Sequence, residues 1–228
     1  MGFFPRELDL IKYGCPTIEQ NQWLEMPSYL DELFKQIINN PRHNPPANSS
    51  IQTKVELNKL IENTKGIIKN VEVLDRYKDH DVGLVEFLKE MVDSVDGKYG
   101  VEANKVKNLI DDVLYDTLGL ITKLKYHYQR PRPYQMAIYY DLSDFHHHQS
   151  ITIDSPSYPS GHAYMGTILS GVIGRLYPEL FEPMRKASFD FNFSRIFMGV
   201  HYKSDVDKGA EIGEIVLNYP NFIRKHRL

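Results

Sequence analysis

Cations, imidazoles and a carboxylate are concentrated in three short segments of the 228-residue chain. The segments are residues 125–133, 159–162 and 194–205. Lys125, Arg132 and Arg195 can neutralise a phosphoryl group, since the planar arginine forks match its oxygens. The middle segment, Pro-Ser-Gly-His, leads into an apolar helical pattern, and the first amides of a helix bind anions. Together the segments predict a site for phosphoryl transfer, whose transition state spreads charge over three equatorial oxygens.

The histidines in these segments suit two different tasks. His201 and Asp205 stand at i and i+4, so they share one helical face if the helix begins near His201. A carboxylate at Nδ1 would leave Nε2 as a basic nucleophile. His162 has no such carboxylate near it in sequence and suits the opposite role, which is donating a proton to a leaving alkoxide. Ser160 and the backbone of Gly161 add hydrogen-bond donors for phosphate oxygens.

The same residues resemble the signature of the type 2 phosphatidic acid phosphatase (PAP2) superfamily, which includes bacterial non-specific acid phosphatases and vanadium haloperoxidases. That signature reads Lys, six residues, Arg-Pro; then Pro-Ser-Gly-His; then Ser-Arg, five residues, His, three residues, Asp. Every position is filled, by Lys125, Arg132, Pro133, Pro159, Ser160, Gly161, His162, Ser194, Arg195, His201 and Asp205. The resemblance covers about residues 105–217, and three ordered motifs are more specific than one short pattern.

The resemblance implies a fold, a reaction and a role for each matched residue. It implies an all-helical core and a phosphatase that works through a phosphohistidine on His201, with Asp205 beside it and His162 as general acid. The residues implied to hold phosphate are Lys125, Arg132, Ser160, Gly161 and Arg195. No metal or other cofactor is implied for this reaction, and vanadate is expected to inhibit it. The implied substrates are small phosphorylated molecules such as monoesters, nucleotides or diphosphates, and a homo-oligomer is consistent with the family.

The first motif fits the sequence in two registers. Lys123 with Arg130-Pro131 has the same spacing as Lys125 with Arg132-Pro133. The acid phosphatases resemble the second choice, because they carry an extra arginine two places before the Arg-Pro pair. We therefore favour Lys125 and Arg132, with Arg130 as a support for the site.

The motifs are also compatible with three other functions. A vanadate-dependent haloperoxidase would use the same residues to hold vanadate as its cofactor, although such enzymes are usually much longer. A membrane-bound lipid phosphatase would need spanning helices, and no run approaches the roughly 20 apolar residues that these require. A phosphate-binding protein without turnover would need the cations but not the His162, His201 and Asp205 set.

Apolar periodicity predicts the helices that position these residues. An extended arm is expected over 1–21, and a largely irregular connection over Tyr134–Tyr158. Helices are expected over Trp23–Ile38, after Ser50, and over Asp81–Val95, Ala103–Tyr126, Ala163–Leu176, Pro178–Met198 and Asp205–Leu217. The prediction is an all-α, single-domain helical bundle over 1–228, in which 1–100 form a helical scaffold and 105–217 the catalytic core.

Composition excludes several classes of partner and cofactor. A net charge of −3 argues against nucleic-acid binding, and the single cysteine, Cys15, cannot form an internal disulfide. The N-terminus lacks a basic segment followed by an apolar one, so the chain is expected to be soluble, although an export signal could have been removed. His146–His148 lack metal-ligand spacing, so no metal is predicted. Outside the motifs, His43, His80 and His226 are expected to be solvated.

Overall fold

The computed structural model describes residues 5–68, 83–148, 150 and 153–228, and all regular structure in these ranges is helical. The predicted all-α fold is confirmed. We number the α-helices α1 (Pro5–Leu8), α2 (Ile18–Glu25), α3 (Asp31–Ile38), α4 (Ile51–Ile68), α5 (Leu84–Asp93), α6 (Ala103–Tyr128), α7 (Pro133–Tyr139), α8 (Gly161–Leu176), α9 (Pro178–Phe197), α10 (Lys203–Leu217) and α11 (Pro220–His226). A 3₁₀ turn at Pro41–His43 lies between α3 and α4. None of the helices in the described ranges combines the length and apolar content of a membrane span.

Helix α8 is the centre of the bundle. It packs most extensively against α9 and α10, and also against α6. Ile168 and Leu169 of α8 are buried with Ile212 and Val216 of α10 and with Leu120 of α6. Burial of the α8 side chains matches its sequence, which is apolar or small around most of the helix. The functional segments lie at helix ends: the C-terminal ends of α6 and α9 and the N-terminal ends of α8 and α10.

Two glycines allow α10 to approach α8 closely. A Cβ atom at Gly213 would lie 2.9 Å from the carbonyl oxygen of Tyr164 and 2.8 Å from Cβ of Thr167. One turn earlier, a Cβ atom at Gly209 would clash with the carbonyl oxygen of Ser160. Only a residue without a side chain leaves room for these backbones to meet. The start of α8 therefore rests directly on the first turns of α10.

The N-terminal region is more helical than the sequence predicted. The expected arm over 1–21 contains α1 and the start of α2 in its described part. Thr17 begins α2 by accepting a hydrogen bond from the amide of Gln20. The single helix predicted over Trp23–Ile38 is wrong, because α2 ends at Glu25 and α3 begins at Asp31. Pro27 explains the break, since proline disfavours helical backbone in the residue before it.

Proline also explains a short helix that lies in the connection predicted to be irregular. The connection predicted over Tyr134–Tyr158 contains α7, which begins at Pro133. Proline is well suited to the first position of a helix, because its missing amide hydrogen has no partner there in any case. The helix predicted over Asp81–Val95 is described from Leu84 onward, and residues 81 and 82 lie outside the described ranges.

Two histidines expected in solvent are buried in contacts with carboxylates. His43 is 4% exposed, and its Nδ1 lies 3.5 Å from Oε1 of Glu211. In α11, Nε2 of His226 lies 3.1 Å from Oδ2 of Asp116. Burial lowers the pKa of both histidines, although the carboxylates oppose the shift. The prediction was wrong because the 3₁₀ turn and the C-terminal helix pack onto the bundle; His80 lies outside the described ranges.

Candidate active site

A cavity of about 280 Å³ brings all three functional segments to one concave surface. Its buried end is lined by Lys125, Arg132, Gly161, His162 and His201. The remaining lining residues are Thr17, Glu19, Gln20, Trp23, Leu118, Ile121, Thr122, Tyr126, Asp154, Ser155 and Met165. The cationic residues therefore meet at the closed end of a pocket whose outer walls come from α2, α6 and α8.

Lys125 lies in the last turn of α6 and points into the cavity. Its ammonium group donates a hydrogen bond to the carbonyl oxygen of Pro156 at 2.6 Å. Burial, together with the charge of Arg132, lowers the pKa of Lys125 well below its usual range. An anion in the cavity would oppose this shift by favouring the charged ammonium group. Lys123, the alternative in the first motif, instead donates to Asp31 at 2.6 Å.

Arg132 is positioned by backbone carbonyl groups. Its Nε donates to Ser155 O at 2.9 Å, and its Nη1 donates to Val200 O at 2.9 Å. The same Nη1 lies 3.0 Å from Nε2 of His201. Burial lowers the pKa of Arg132 to about 10, so the guanidinium stays charged at neutral pH. Because a guanidinium group only donates, the Nε2 atom opposite it must be the unprotonated nitrogen of the imidazole.

Asp205 stands behind His201 because it caps the start of α10. Its Oδ2 lies 3.2 Å from Nδ1 of His201, and it accepts hydrogen bonds from the amide of Tyr202 at 3.0 Å and from the hydroxyl of Ser157. The helix begins at Lys203, so His201 precedes it. The predicted shared helical face is therefore wrong. The two side chains meet through the capping geometry of the third helical residue.

The surroundings of this pair keep Asp205 ionised and His201 neutral. Burial favours a raised pKa for Asp205, but the charge of Arg130 and hydrogen bonds from His201 and Ser157 hold it far below its usual range. Burial and the charge of Arg132 lower the pKa of His201 well below its ordinary value, although Asp205 opposes this. The ring proton is therefore on Nδ1, facing the carboxylate, and the lone pair is on Nε2.

The Pro-Ser-Gly-His segment forms the start of α8. Ser160 is fully buried, its hydroxyl accepts from the amide of Ala163 at 3.5 Å, and its own amide donates to Asp205 O at 2.9 Å. Gly161 and His162 supply the first amides of the helix and line the cavity. An anion in the cavity would thus meet the positive end of the α8 dipole.

Arg195 is buried behind the cavity surface rather than on it. Its Nη2 donates to the hydroxyl of Ser150 at 2.8 Å, and its Nη1 lies 3.5 Å from Sδ of Met198. Burial and the charge of Arg132 are the largest causes of the lowered pKa of Lys125, and the charge of Arg195 lowers it further. Arg195 therefore adds positive potential at the closed end of the cavity, although it does not line the cavity itself.

Arg130 connects the carboxylate of Asp205 to helix α4. Its Nη1 donates to Oδ1 of Asp205 at 2.6 Å and to the hydroxyl of Ser204 at 2.8 Å. Its Nη2 lies 3.5 Å from Oε2 of Glu56, and its guanidinium carbon lies 3.9 Å from the centroid of the Tyr202 ring. The side chain is 1% exposed, so two carboxylates compensate one buried cation. Because Arg130 holds Oδ1, the other carboxylate oxygen, Oδ2, faces the imidazole of His201.

Sequence reasoning missed two polar partners and one wall of the site. Glu56 accepts from the amide and hydroxyl of Ser204 at 3.0 and 2.7 Å, but no motif marks helix α4. Ser157 bonds to Asp205, and its place just before the Pro-Ser-Gly-His motif was the available signal. Helix α2, which carries Trp23, was not assigned to the site because its residues match no functional pattern.

The adjacent histidines lie on the connection between α7 and α8. The ring of His147 stacks on Tyr134, with centroids 4.5 Å apart, and the amide of His148 donates to Met198 O at 2.9 Å. Among the residues that the structure describes, no group of three or more His, Cys, Asp or Glu side chains is arranged to hold a metal ion. These histidines therefore take part in packing and backbone contacts of the loop.

Comparison with known proteins connects this geometry to a family. Residues 113–223 match the sequence profile of the PAP2 superfamily. The non-specific acid phosphatase of Salmonella typhimurium is 31% identical over 116 residues, which are 49% of this chain and 43% of that protein. The non-specific acid phosphatase of Providencia stuartii is 30% identical over 107 residues, which are 46% of this chain and 42% of that protein. The chain thus matches less than half the length of each of these relatives.

A solved structure extends the likeness of fold to most of the chain. The structure of a bacterial vanadium-dependent iodoperoxidase aligns with a TM-score of 0.69 and 14% identity, covering 93% of this chain and 58% of that one. At this level of identity the likeness concerns the fold alone. The family profile, by contrast, includes all three segments that carry the site residues. Over residues 113–223 this chain therefore resembles the PAP2 superfamily in sequence.

Proposed function

We propose that the protein is a phosphatase that hydrolyses phosphate monoesters through a phosphohistidine on His201. The observation that carries the proposal is the orientation of this imidazole, whose Nδ1 faces Asp205 at 3.2 Å and whose Nε2 faces Arg132 at 3.0 Å. A carboxylate accepts and a guanidinium donates, so the two contacts select the tautomer with a lone pair on Nε2. The acid phosphatase relatives support the phosphatase reaction.

The reaction proceeds in two displacements at phosphorus. In the first, the phosphoryl oxygens take over the Arg132 donor, and Nε2 of His201 forms a bond to phosphorus while the bond to the ester oxygen breaks. His162, which lines the cavity, gives its proton to the leaving alkoxide, so an alcohol departs. In the second, His162 takes a proton from water, the water oxygen bonds to phosphorus, and the N–P bond breaks to release inorganic phosphate.

Positive side chains stabilise the charge of the transition state. Lys125 and Arg132 line the cavity, and Arg195 adds its charge from behind them. These charges act in a buried, low-dielectric site, where electrostatic stabilisation is stronger than in water. Asp205 stabilises the imidazole when phosphorylation makes it cationic. Side chains thus supply the positive charge, so we propose that the reaction needs no divalent metal.

Release of phosphate from 4-nitrophenyl phosphate in the presence of EDTA tests the proposal. We expect turnover with EDTA and strong inhibition by orthovanadate, because vanadate reproduces the five-coordinate transition state in the same cationic site. Phosphate binding without product release would instead indicate a binding protein. Halide oxidation by the vanadate-loaded protein with peroxide, in place of phosphatase activity, would indicate the haloperoxidase reaction.

The pH profile of kcat/KM should be bell-shaped with a mildly acidic optimum. The acid limb reports protonation of His201 in the free enzyme, and burial and Arg132 lower the pKa of this group. Activity should therefore persist as the pH falls through the ordinary histidine range and be lost below it. The alkaline limb reports loss of the proton from the general acid. An acid limb centred at or above the ordinary value of 6.5 would contradict the assignment.

A further inference from the structure

We infer that the outer part of the cavity is a subsite for an uncharged, ring-sized apolar group of the substrate, and that it rejects substrates with a second negative charge. The subsite consists of Trp23, Leu118, Ile121 and Met165, with Glu19 and Asp154 at its rim. The inference rests on the proposed function, because it concerns the alcohol part of the phosphate ester.

The apolar wall begins directly beside the residues proposed to hold phosphate. Ile121 and Leu118 precede Lys125 by four and seven residues, so they lie on the same face of α6, about 6 and 10 Å from it along the helix. On α8, Met165 follows Gly161 by four residues. Its Cε lies 3.9 Å from the point that a Cβ atom would occupy at Gly161. Apolar surface therefore begins within one helical turn of the phosphate end on both helices.

Helix α2 adds a further wall of this subsite. Trp23 lines the cavity, and its ring packs edge-on against Tyr115 of α6 with centroids 5.5 Å apart. Gln20 holds α2 in place, since its Nε2 donates to Asp154 O at 3.0 Å and its Oε1 accepts from the hydroxyl of Tyr126 at 2.5 Å. Trp23 thus presents a large apolar surface that suits a substrate ring.

The rim of the subsite is negatively charged. Glu19 and Asp154 line the cavity and are exposed to solvent. The lysine and arginine of the lining, Lys125 and Arg132, lie at the buried end, where one phosphoryl group would use both. A second phosphate or a carboxylate on the substrate would therefore face two carboxylates, and such juxtaposition of like charges reduces affinity. The subsite therefore disfavours diphosphates as substrates.

Three phosphate esters of primary alcohols with similar leaving groups test the inference. They are ethyl phosphate, 2-phenylethyl phosphate and 2-(4-carboxyphenyl)ethyl phosphate. We expect kcat/KM for the phenylethyl ester to exceed that for the ethyl ester by about tenfold or more, because the ring buries apolar area. The carboxylated ester should fall about tenfold below the phenylethyl ester, because its charge faces Glu19 and Asp154.

Variants identify the residues responsible for these preferences. Trp23→Ala should reduce the preference for the phenylethyl ester to about twofold, because its main apolar surface is lost. Phe189→Ala is the matched control, since Phe189 is a 55% exposed aromatic residue on α9 that does not line the cavity, and it should keep the preference. The double variant Glu19→Gln with Asp154→Asn should raise kcat/KM for the carboxylated ester toward that of the phenylethyl ester.

Inhibition by orthovanadate shows whether each variant keeps an intact phosphate end. An unchanged inhibition constant together with a changed ratio between esters supports the inference. Similar kcat/KM values for all three esters, or ratios that Trp23→Ala does not move, overturn the inference while the proposed function stands. Absence of turnover with every ester overturns the proposed function itself, and the inference with it.

Discussion

His201→Ala should lower kcat for 4-nitrophenyl phosphate by about 10⁴-fold or more, because the substitution removes the atom that forms the bond to phosphorus. The fold should survive, since Asp205 keeps its hydrogen bonds from Tyr202 N, Ser157 and Arg130. Steady-state kinetics measures the loss, and thermal unfolding followed by circular dichroism checks the fold. Wild-type turnover in this variant would remove His201 from the proposed mechanism.

His127→Ala is the matched control for this substitution. His127 lies two residues from Lys125, but its ring is exposed and packs edge-on against Phe34 with centroids 6.0 Å apart. Activity should stay within about threefold of the wild type, because surface substitutions have small effects.

Quenching the wild-type enzyme during turnover of a radiolabelled ester should trap an acid-labile phosphohistidine. Label that persists on His201→Ala would assign the nucleophile to another residue.

Arg130→Met should destabilise the protein by about 3–5 kcal/mol, because it leaves the buried carboxylate of Asp205 and the partly buried carboxylate of Glu56 without their cation. The charge of Arg130 helps to hold the pKa of Asp205 down against burial, so its removal should raise that pKa. Asp205 in the folded variant should then take up a proton at a higher pH than Asp205 in the folded wild type, and the neutral carboxyl group is not destabilised by the loss of Arg130. The difference in unfolding free energy between wild type and variant should therefore become smaller as the pH falls. Urea denaturation at neutral and acidic pH measures it.

Arg42→Met is the matched control at an exposed ion pair. Arg42 lies 3.2 Å from Glu211, and its side chain is 65% exposed. Its loss should change stability by less than about 1 kcal/mol, because water screens such pairs. Equal destabilisation by Arg42→Met and Arg130→Met would show that the buried network has no special role. A kcat loss confined to Arg130→Met would agree with its contact to the carboxylate behind the nucleophile.

The convergence of the site residues was predictable because they occupy short motifs at or near the ends of helices. Lys125 lies in the last turn of α6, Gly161 begins α8 and Asp205 lies in the first turn of α10, so helix packing brings the motifs together. The existence of α6 followed from its long apolar stripe. The roles assigned to the site residues stay predictions, and Ser160 and Arg195 do not line the cavity.

Partners fixed only by tertiary packing were not predictable. Glu56 lies far from Ser204 and Arg130 in sequence, and an acidic residue in a helix without a motif looks like any solvated one. Trp23 reaches the cavity because α2 packs on α6, which no local pattern encodes. The helix boundaries at Pro27 and Pro133 could not be predicted from the sequence, since a proline can either end a helix or occupy its first position. The assignment of the whole chain to one domain stays a prediction.

Gly209 is required for the geometry of the active site, although it carries no reactive group. Because its missing side chain makes room for the carbonyl of Ser160, a larger residue there would force the turn at Ser160 away from His201 and Asp205. A homologue could thus retain every member of the three motifs and still be inert. Surveys that assign activity from motif residues alone would misjudge such a chain, and inspecting this unreactive position would correct them.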